Sequence, residues 1–176
     1  MFSQFGLKKV TTDDIAKRAC ISKATIYRYF HNKQEIFYKV IAYEVNQLLS
    51  TITEAVSSET TVAGKLRSNQ LSKRGKLREL VNLLHVTREK WNEHWPHGTD
   101  VQDQILDKQK SIVASILAFG IGTGELQVKN VGLTAHLMVV SLQSIEYPWQ
   151  FDALEVPLTV YLDHVLEVIM NGIRKR

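Results

Sequence analysis

Ser22, Lys23, Ala24, Thr25, Tyr27, Arg28 and Tyr29 form a run whose chemistry is that of contact with a nucleic-acid duplex. Lysine and arginine reach guanine acceptors or phosphates, hydroxyls bond phosphate or a base edge, and methyl or aromatic groups meet thymine methyls. Ile26 and Phe30 recur four residues apart, so a helix through this run buries one side and turns the cations and tyrosines outward. Such a face is poor for solubility and good for a major groove.

A second element must hold that helix in place. Thr12 is a candidate N-cap, Asp13 and Asp14 fall in the first turn where the helix dipole favours negative charge, and Ile15, Ala16 and Ala19 have core spacing. This first helix should stop near Cys20, and Ser22 can cap the next. Two short helices joined by a three-residue turn make a helix-turn-helix. The string Ile15-Ala16, Ile21-Ser22, Thr25-Ile26-Tyr27, Tyr29-Phe30 and Asn32-Lys33 resembles the signature of the TetR family of bacterial transcriptional regulators. The resemblance implies that Lys23, Ala24 and Tyr27 face bases and that Thr12, Thr25, Tyr29 and Lys33 contact phosphates.

The chain departs from that pattern in two places. Cys20 stands where such turns usually carry glycine, and a non-glycine residue at positive φ costs about 1 kcal/mol or more. As the sole cysteine it has no resolving partner and should be a small buried hydrophobe rather than a redox sensor; it also excludes an intramolecular disulfide, as suits a reducing compartment. Met1 to Gly6 supply only the ending of the family's first helix. Either the chain as written starts at an internal Met or it is a short form, and in both cases the DNA-binding end is expected to be looser than in its relatives.

Charge concentrates where the motif is. Residues 1–40 hold eight lysines and arginines against three acids, while the whole chain nets only +4, so the remainder is slightly acidic. A basic segment coinciding with a specific motif is the footprint expected of nucleic-acid binding. No apolar run reaches the roughly 18 residues of a membrane span and no signal-peptide opening is present, which points to the cytoplasm and away from a membrane partner.

Beyond Phe30 the pattern is helical. Asn32 caps a long helix with Ile36, Phe37, Val40, Ile41, Val45, Leu48, Leu49 and Ile52 at a 3.6-residue period to about Val56, and the polar break at Ser57 to Thr61 suggests domains of 1–57 and 58–176. A basic segment from Lys65 to Arg78 has leucines too sparse to fix its helix ends. Further helices are expected from about Lys76 to Trp95, Val101 to Phe119, Asn130 to Tyr147 and Pro157 to Gly172. The glycines at 120, 122 and 124 are read as a helix stop, because no strand precedes them and no Gly-Lys-Ser/Thr follows.

Catalytic signatures are lacking, so the chain is read as a non-enzyme with no cofactor. His94 and His97 are separated by the helix-breaking Pro96 and make a poor metal pair. His85, Trp91, His94, Trp95, Phe119, Met138, Tyr147 and Trp149 could line an effector cavity, which between helices is mostly apolar with a few polar groups. Leu158, Tyr161, Leu162, Val165 and Ile169 on the last helix, with Leu133, Leu137, Val140, Ser141 and Ile145 on the one before, offer more apolar width than a terminal helix can bury alone. The resemblance assigns these two helices to a homodimer interface.

The expectation is therefore an all-α chain: an N-terminal helix-turn-helix DNA-binding domain, then a helical ligand-binding and dimerisation domain. It would bind a double-stranded palindromic operator as a homodimer, act as a repressor, and be released by a small apolar effector. A regulator controlled by a protein partner instead of a small molecule is the alternative.

Overall fold

The structure is a computed structural model, and it describes residues 1–80, 98–143 and 156–175. Among these residues every element is a helix: α1 Phe2–Lys9, α2 Thr12–Arg18, α3 Lys23–Tyr29, α4 Lys33–Ser57, α5 Val62–Glu79, α6 Gly98–Gly122, α7 Val131–Leu142 and α8 Leu158–Ile173. The all-α expectation holds. None of the described helices is long and apolar enough to cross a membrane.

Side-chain caps start most of these helices, each accepting a backbone N–H that the first turn would leave unpaired. Ser22 accepts from Thr25, Asn32 from Glu35, Thr61 from Gly64 and Asn130 from Leu133. On α2 the cap is Thr11, one residue before the expected Thr12. The cause is a reciprocal box: the Thr11 hydroxyl accepts from Asp14 N–H at 3.2 Å, and the Asp14 carboxylate accepts the Thr11 N–H at 3.0 Å. Only Thr11 has an acid three residues on; the corresponding residue for Thr12 is Ile15.

α4 is the spine. Its buried stripe Phe37, Ile41, Val45, Leu48, Ile52 and Val56 runs nearly the whole helix. At its start Phe37 meets the ring of Phe2 edge-on, with centroids 5.0 Å apart. Further along, the same stripe joins a core that includes Leu66, Leu77, Val113, Ile116, Leu117, Met138, Val139, Leu162 and Leu166. α1 is bent at Gly6, whose φ of 72° lies in the left-handed region.

The basic segment is a single helix, α5. Lys76 to Glu79, expected to open a new helix, instead close α5 with Leu80 as C-cap, and Leu77 continues the stripe of Val62 and Leu66. Polar residues occupy core positions between those apolar ones, which hid the period. The remainder of that expected helix, residues 81–95, lies outside the described residues. α6 ends as the glycines suggested. Glu125 and Leu126 both donate backbone bonds to Gly120 O at 2.9 Å, and Gly124 has φ 75°. The chain then pairs briefly with the end of α8, Gln127 N–H reaching Ile173 O and Lys175 N–H reaching Glu125 O.

Gly120 fixes how α6 meets its neighbours. A Cβ there would lie 2.7 Å from Leu126 Cδ1 and 2.7 Å from Val62 Cγ2, whereas a Cβ at Gly75 would meet nothing within 4 Å. Gly120→Ala should therefore lower stability by about 1–3 kcal/mol through overpacking, despite alanine's better helix propensity. Gly75→Ala should raise it by about 0.5–1 kcal/mol. Urea unfolding of the two variants checks the opposite signs.

Candidate nucleic-acid interface

α2 and α3 are held at an angle by the turn between them. Ile21 N–H reaches back to Ala16 O at 3.1 Å and Cys20 N–H to Lys17 O at 3.2 Å, a Schellman-type stop that needs a residue at positive φ. Cys20 supplies it with φ 55°, so the strain expected from the missing glycine is present. Cys20 is exposed, contrary to the burial expected of it. The turn's hydrogen bonds fix its backbone at the surface, and the side chain projects from it. Ala16 and Ile26 are buried between the two helices, while Ala19, expected in the core, is exposed.

The outward face of α3 is as the sequence proposed. Ser22, Lys23, Ala24, Tyr27, Arg28 and Tyr29 are exposed and Thr25 is half-buried. Tyr27 is 49% and Tyr29 64% exposed. Arg28 Nη2 donates to Tyr29 Oη at 3.2 Å, with the guanidinium 5.0 Å from that ring. Lys23 Nζ lies 3.0 Å from Asp13 on α2, and the hydrogen bond to that carboxylate raises the Lys23 pKa above its ordinary value. The hydrogen bond from the Thr11 hydroxyl holds Asp14 below the usual carboxylate range, so the cap stays ionised.

Thr12 is half-buried at the start of α2. Lys33 differs from the others. Its ammonium donates to Leu7 O at 2.8 Å and Val10 O at 2.9 Å, tying the end of α1 to the start of α4. A phosphate contact there would share or displace this brace, which sequence spacing could not show.

The effector residues are less well joined. Met138 is buried in the core of the helical domain, but Phe119 is 38% exposed, with the Lys65 ammonium 5.0 Å from its ring. His85, Trp91, His94, Trp95, Tyr147 and Trp149 lie outside the described residues. A cleft of about 500 Å³ opens elsewhere, between α1 and α2, lined by Met1, Phe5, Lys9, Val10, Asp14, Lys17 and Arg18.

Of the interface candidates, Leu133, Leu137 and Val140 are 46–56% exposed and Ser141 is exposed on the same side of α7. On α8, Leu158, Tyr161, Val165 and Ile169 are half-buried, and Val160 and Val168 face outward. Leu162 is a correction. It is fully buried with Leu166 and Met170 on the inner side of α8, so it belongs to the subunit's own core. Ile145 lies outside the described residues.

A helix-turn-helix bearing an exposed recognition face, joined through one long helix to an all-helical domain, defines a DNA-binding transcription regulator. Residues 1–40 match the model of a family described as bacterial regulatory proteins, tetR family. It is similar to the uncharacterized HTH-type transcriptional regulator YhgD of Bacillus subtilis, with 25% identity over 153 residues covering 85% of this chain and 78% of that protein. Its fold is shared with a transcriptional regulator from Cytophaga hutchinsonii, at a TM-score of 0.78 and 22% identity, covering 99% of this chain and 93% of the other. It is also shared with the regulator FadR from Bacillus subtilis in complex with stearoyl-CoA, at 0.73 and 24% identity, covering 98% and 93%.

The strain at Cys20 is directly measurable. Cys20→Gly should stabilise the protein by about 1 kcal/mol, because glycine adopts positive φ without the Cβ clash. A shift in the urea midpoint at unchanged slope checks it.

Proposed function

We propose that the chain is a ligand-responsive repressor that binds a palindromic operator as a homodimer and releases it when a small molecule with an apolar body occupies the helical domain. The exposed, cationic and doubly aromatic face of α3 is the observation that carries the DNA half of this reading. In it, residues 1–57 read DNA, residues 58–176 take the effector and the partner subunit, and the protein works in the cytoplasm. Two α3 helices would enter successive major grooves about 34–36 Å apart. Lys23, Ala24 and Tyr27 would meet base edges, with Arg28 beside them, while Ser22, Thr12, Thr25, Tyr29 and Lys33 would position the backbone.

The ligand half rests on the two-part architecture and on FadR, whose structure holds stearoyl-CoA, which makes that acyl thioester the first compound to test. An effector acts only through differential affinity for the DNA-bound and free states, worth about 1–3 kcal/mol. α4 is the element able to carry the difference, since one helix reaches from Lys33 at the DNA end to Val56 in the helical core.

In binding to a palindromic operator, Tyr27→Ala and Lys23→Ala should weaken specific binding by about 1–3 kcal/mol for each good base contact removed. Lys33→Ala should weaken all sequences alike and reduce the salt slope by about one unit. Anisotropy titrations across salt concentrations check both; a Lys33→Ala protein with unchanged affinity and slope contradicts the docking.

The outward apolar faces of α7 and α8 are assigned to the partner subunit, since one short helix is too weak a reader without a second coupled half-site. Leu137 is 56% exposed, so Leu137→Arg spares the monomer fold and should convert dimers to monomers by burying an unpaired charge. Sedimentation at micromolar concentration reads the outcome. A monomeric wild type defeats the interface, and a dimeric variant moves it elsewhere.

A further inference from the structure

The helical domain carries polar side chains at positions where its helices otherwise bury apolar ones. On α5 the buried residues are Val62, Leu66, Asn69, Gln70, Lys73 and Leu77, and on α6 they include Gln109, Val113, Ile116 and Leu117. Asn69 and Gln109 are each 1% exposed, Lys73 is 4% and Glu44 of α4 is 9%. Burying an amide without a partner costs about 1–3 kcal/mol, so such groups are almost always hydrogen-bonded. Here both the amide nitrogen and the amide oxygen of Asn69, and the amide nitrogen of Gln109, have no partner among the described residues.

The register of the helices places these residues at one depth. Val62 packs on Gly120, and the contact between α5 and α6 then continues along both helices in opposite directions. Lys73 is as many residues past Val62 as Gln109 is before Gly120, and Asn69 likewise faces the level of Val113. At 1.5 Å per residue, Lys73 and Gln109 both lie about 16 Å from the Val62 level. α4 and α5 form a hairpin closed at Val56, where Lys65 Nζ donates to the Val56 carbonyl at 3.0 Å, and the same reckoning brings Leu48 to the level of Lys73, with Glu44 about one turn beyond it. By this reckoning Lys73 and Gln109 fall at one level on two helices, with Glu44 of α4 within about one turn of it. Asn69 sits one turn below it, and apolar layers lie on either side: Leu66 with Ile116, and Leu77 with Ile105.

We infer that this layer, through the amides of Asn69 and Gln109, holds the polar head of the effector, and that the head presents acceptor oxygens as a carboxylate, ester, thioester or phosphate does. The inference rests on the effector reading above and names its chemistry. Of the unpartnered groups, two are amide NH₂ donors and one is an acceptor, so the site is donor-rich and favours an oxygen acceptor over a cationic head. The surrounding leucines and isoleucines suit an apolar tail. Glu44 gives the layer a direct link to α4, and hence to the recognition helix.

Calorimetric titration with decanoate, methyl decanoate, decyltrimethylammonium and stearoyl-CoA tests it on wild type, Asn69→Leu and Gln109→Leu. The wild type should prefer the oxygen-bearing probes over the ammonium probe by about tenfold or more, the worth of one or two hydrogen bonds in a dry site. Each leucine variant should lose that preference while its unliganded melting temperature rises, because an orphaned polar group has been removed. Asn69→Asp, which keeps the volume, should reject decanoate, and it serves if a leucine variant does not fold. Folded variants that bind the oxygen-bearing probes as the wild type does would overturn the inference, leaving the amides satisfied by water alone. A wild type that binds none of the four probes, with the operator still bound, would retire the effector reading itself and this layer's role with it.

Discussion

Burial of the apolar stripe on α4 is the interaction on which the other features depend. The helix-turn-helix is too small to stand alone: Val10, Ala16 and Ile26 are its few buried apolar residues, and a unit of this size cannot bury enough surface to offset its chain entropy. It leans on α4 through Phe2 against Phe37 and through Lys33, whose ammonium gathers the last carbonyls of α1. At its other end the same helix lies against α5 and α6. One helix thus belongs to both cores, and in the proposed reading it is the element that would carry a shift from one to the other.

This arrangement explains why the polar layer lies where it does. A ligand held far from α4 would have no lever on the recognition helices, whereas a group at the level of Glu44 lies about three turns from Lys33. The close approach at Gly120 sets that level, because a Cβ would push α6 away from Val62 and slide Gln109 out of register with Lys73. Orphaned amides lower the stability of the empty protein, and a ligand that satisfies them is bound preferentially by the state in which they are aligned. Stability given up at a binding site is a common trade in proteins whose activity depends on a switch.

Much of the DNA-binding half was legible in the sequence, for a physical reason. Helix caps, dipole-compatible acids and outward cations act over three or four residues, so Ser22, Asn32, Tyr27 and Tyr29 declare themselves locally. The choice of Thr11 over Thr12 as cap turns on which threonine has an acid three residues on, and the sequence contains that too. The helical domain was less legible because its determinants are nonlocal. Asn69, Gln70 and Lys73 sit at core spacing between Leu66 and Leu77, but a period interrupted by polar residues reads as a solvated helix until its neighbours are in place. Leu162 illustrates the converse. The breadth of the apolar face on α8 is legible in the sequence, yet only packing decides that Leu162 turns inward while Val160 and Val168 turn out.

The arrangement stands or falls on two recognition helices being held at the spacing of successive major grooves. Cys20 is the chain's sole cysteine, is exposed, and sits in the turn just before α3, so a spin label on it reports that spacing without any substitution. Pulsed dipolar spectroscopy on the labelled protein bound to its operator should give one narrow distance between protomers, within the reach of the labels from about 34–36 Å. A complex on DNA that shows no dipolar modulation, or a broad distribution centred well away from that spacing, would contradict it.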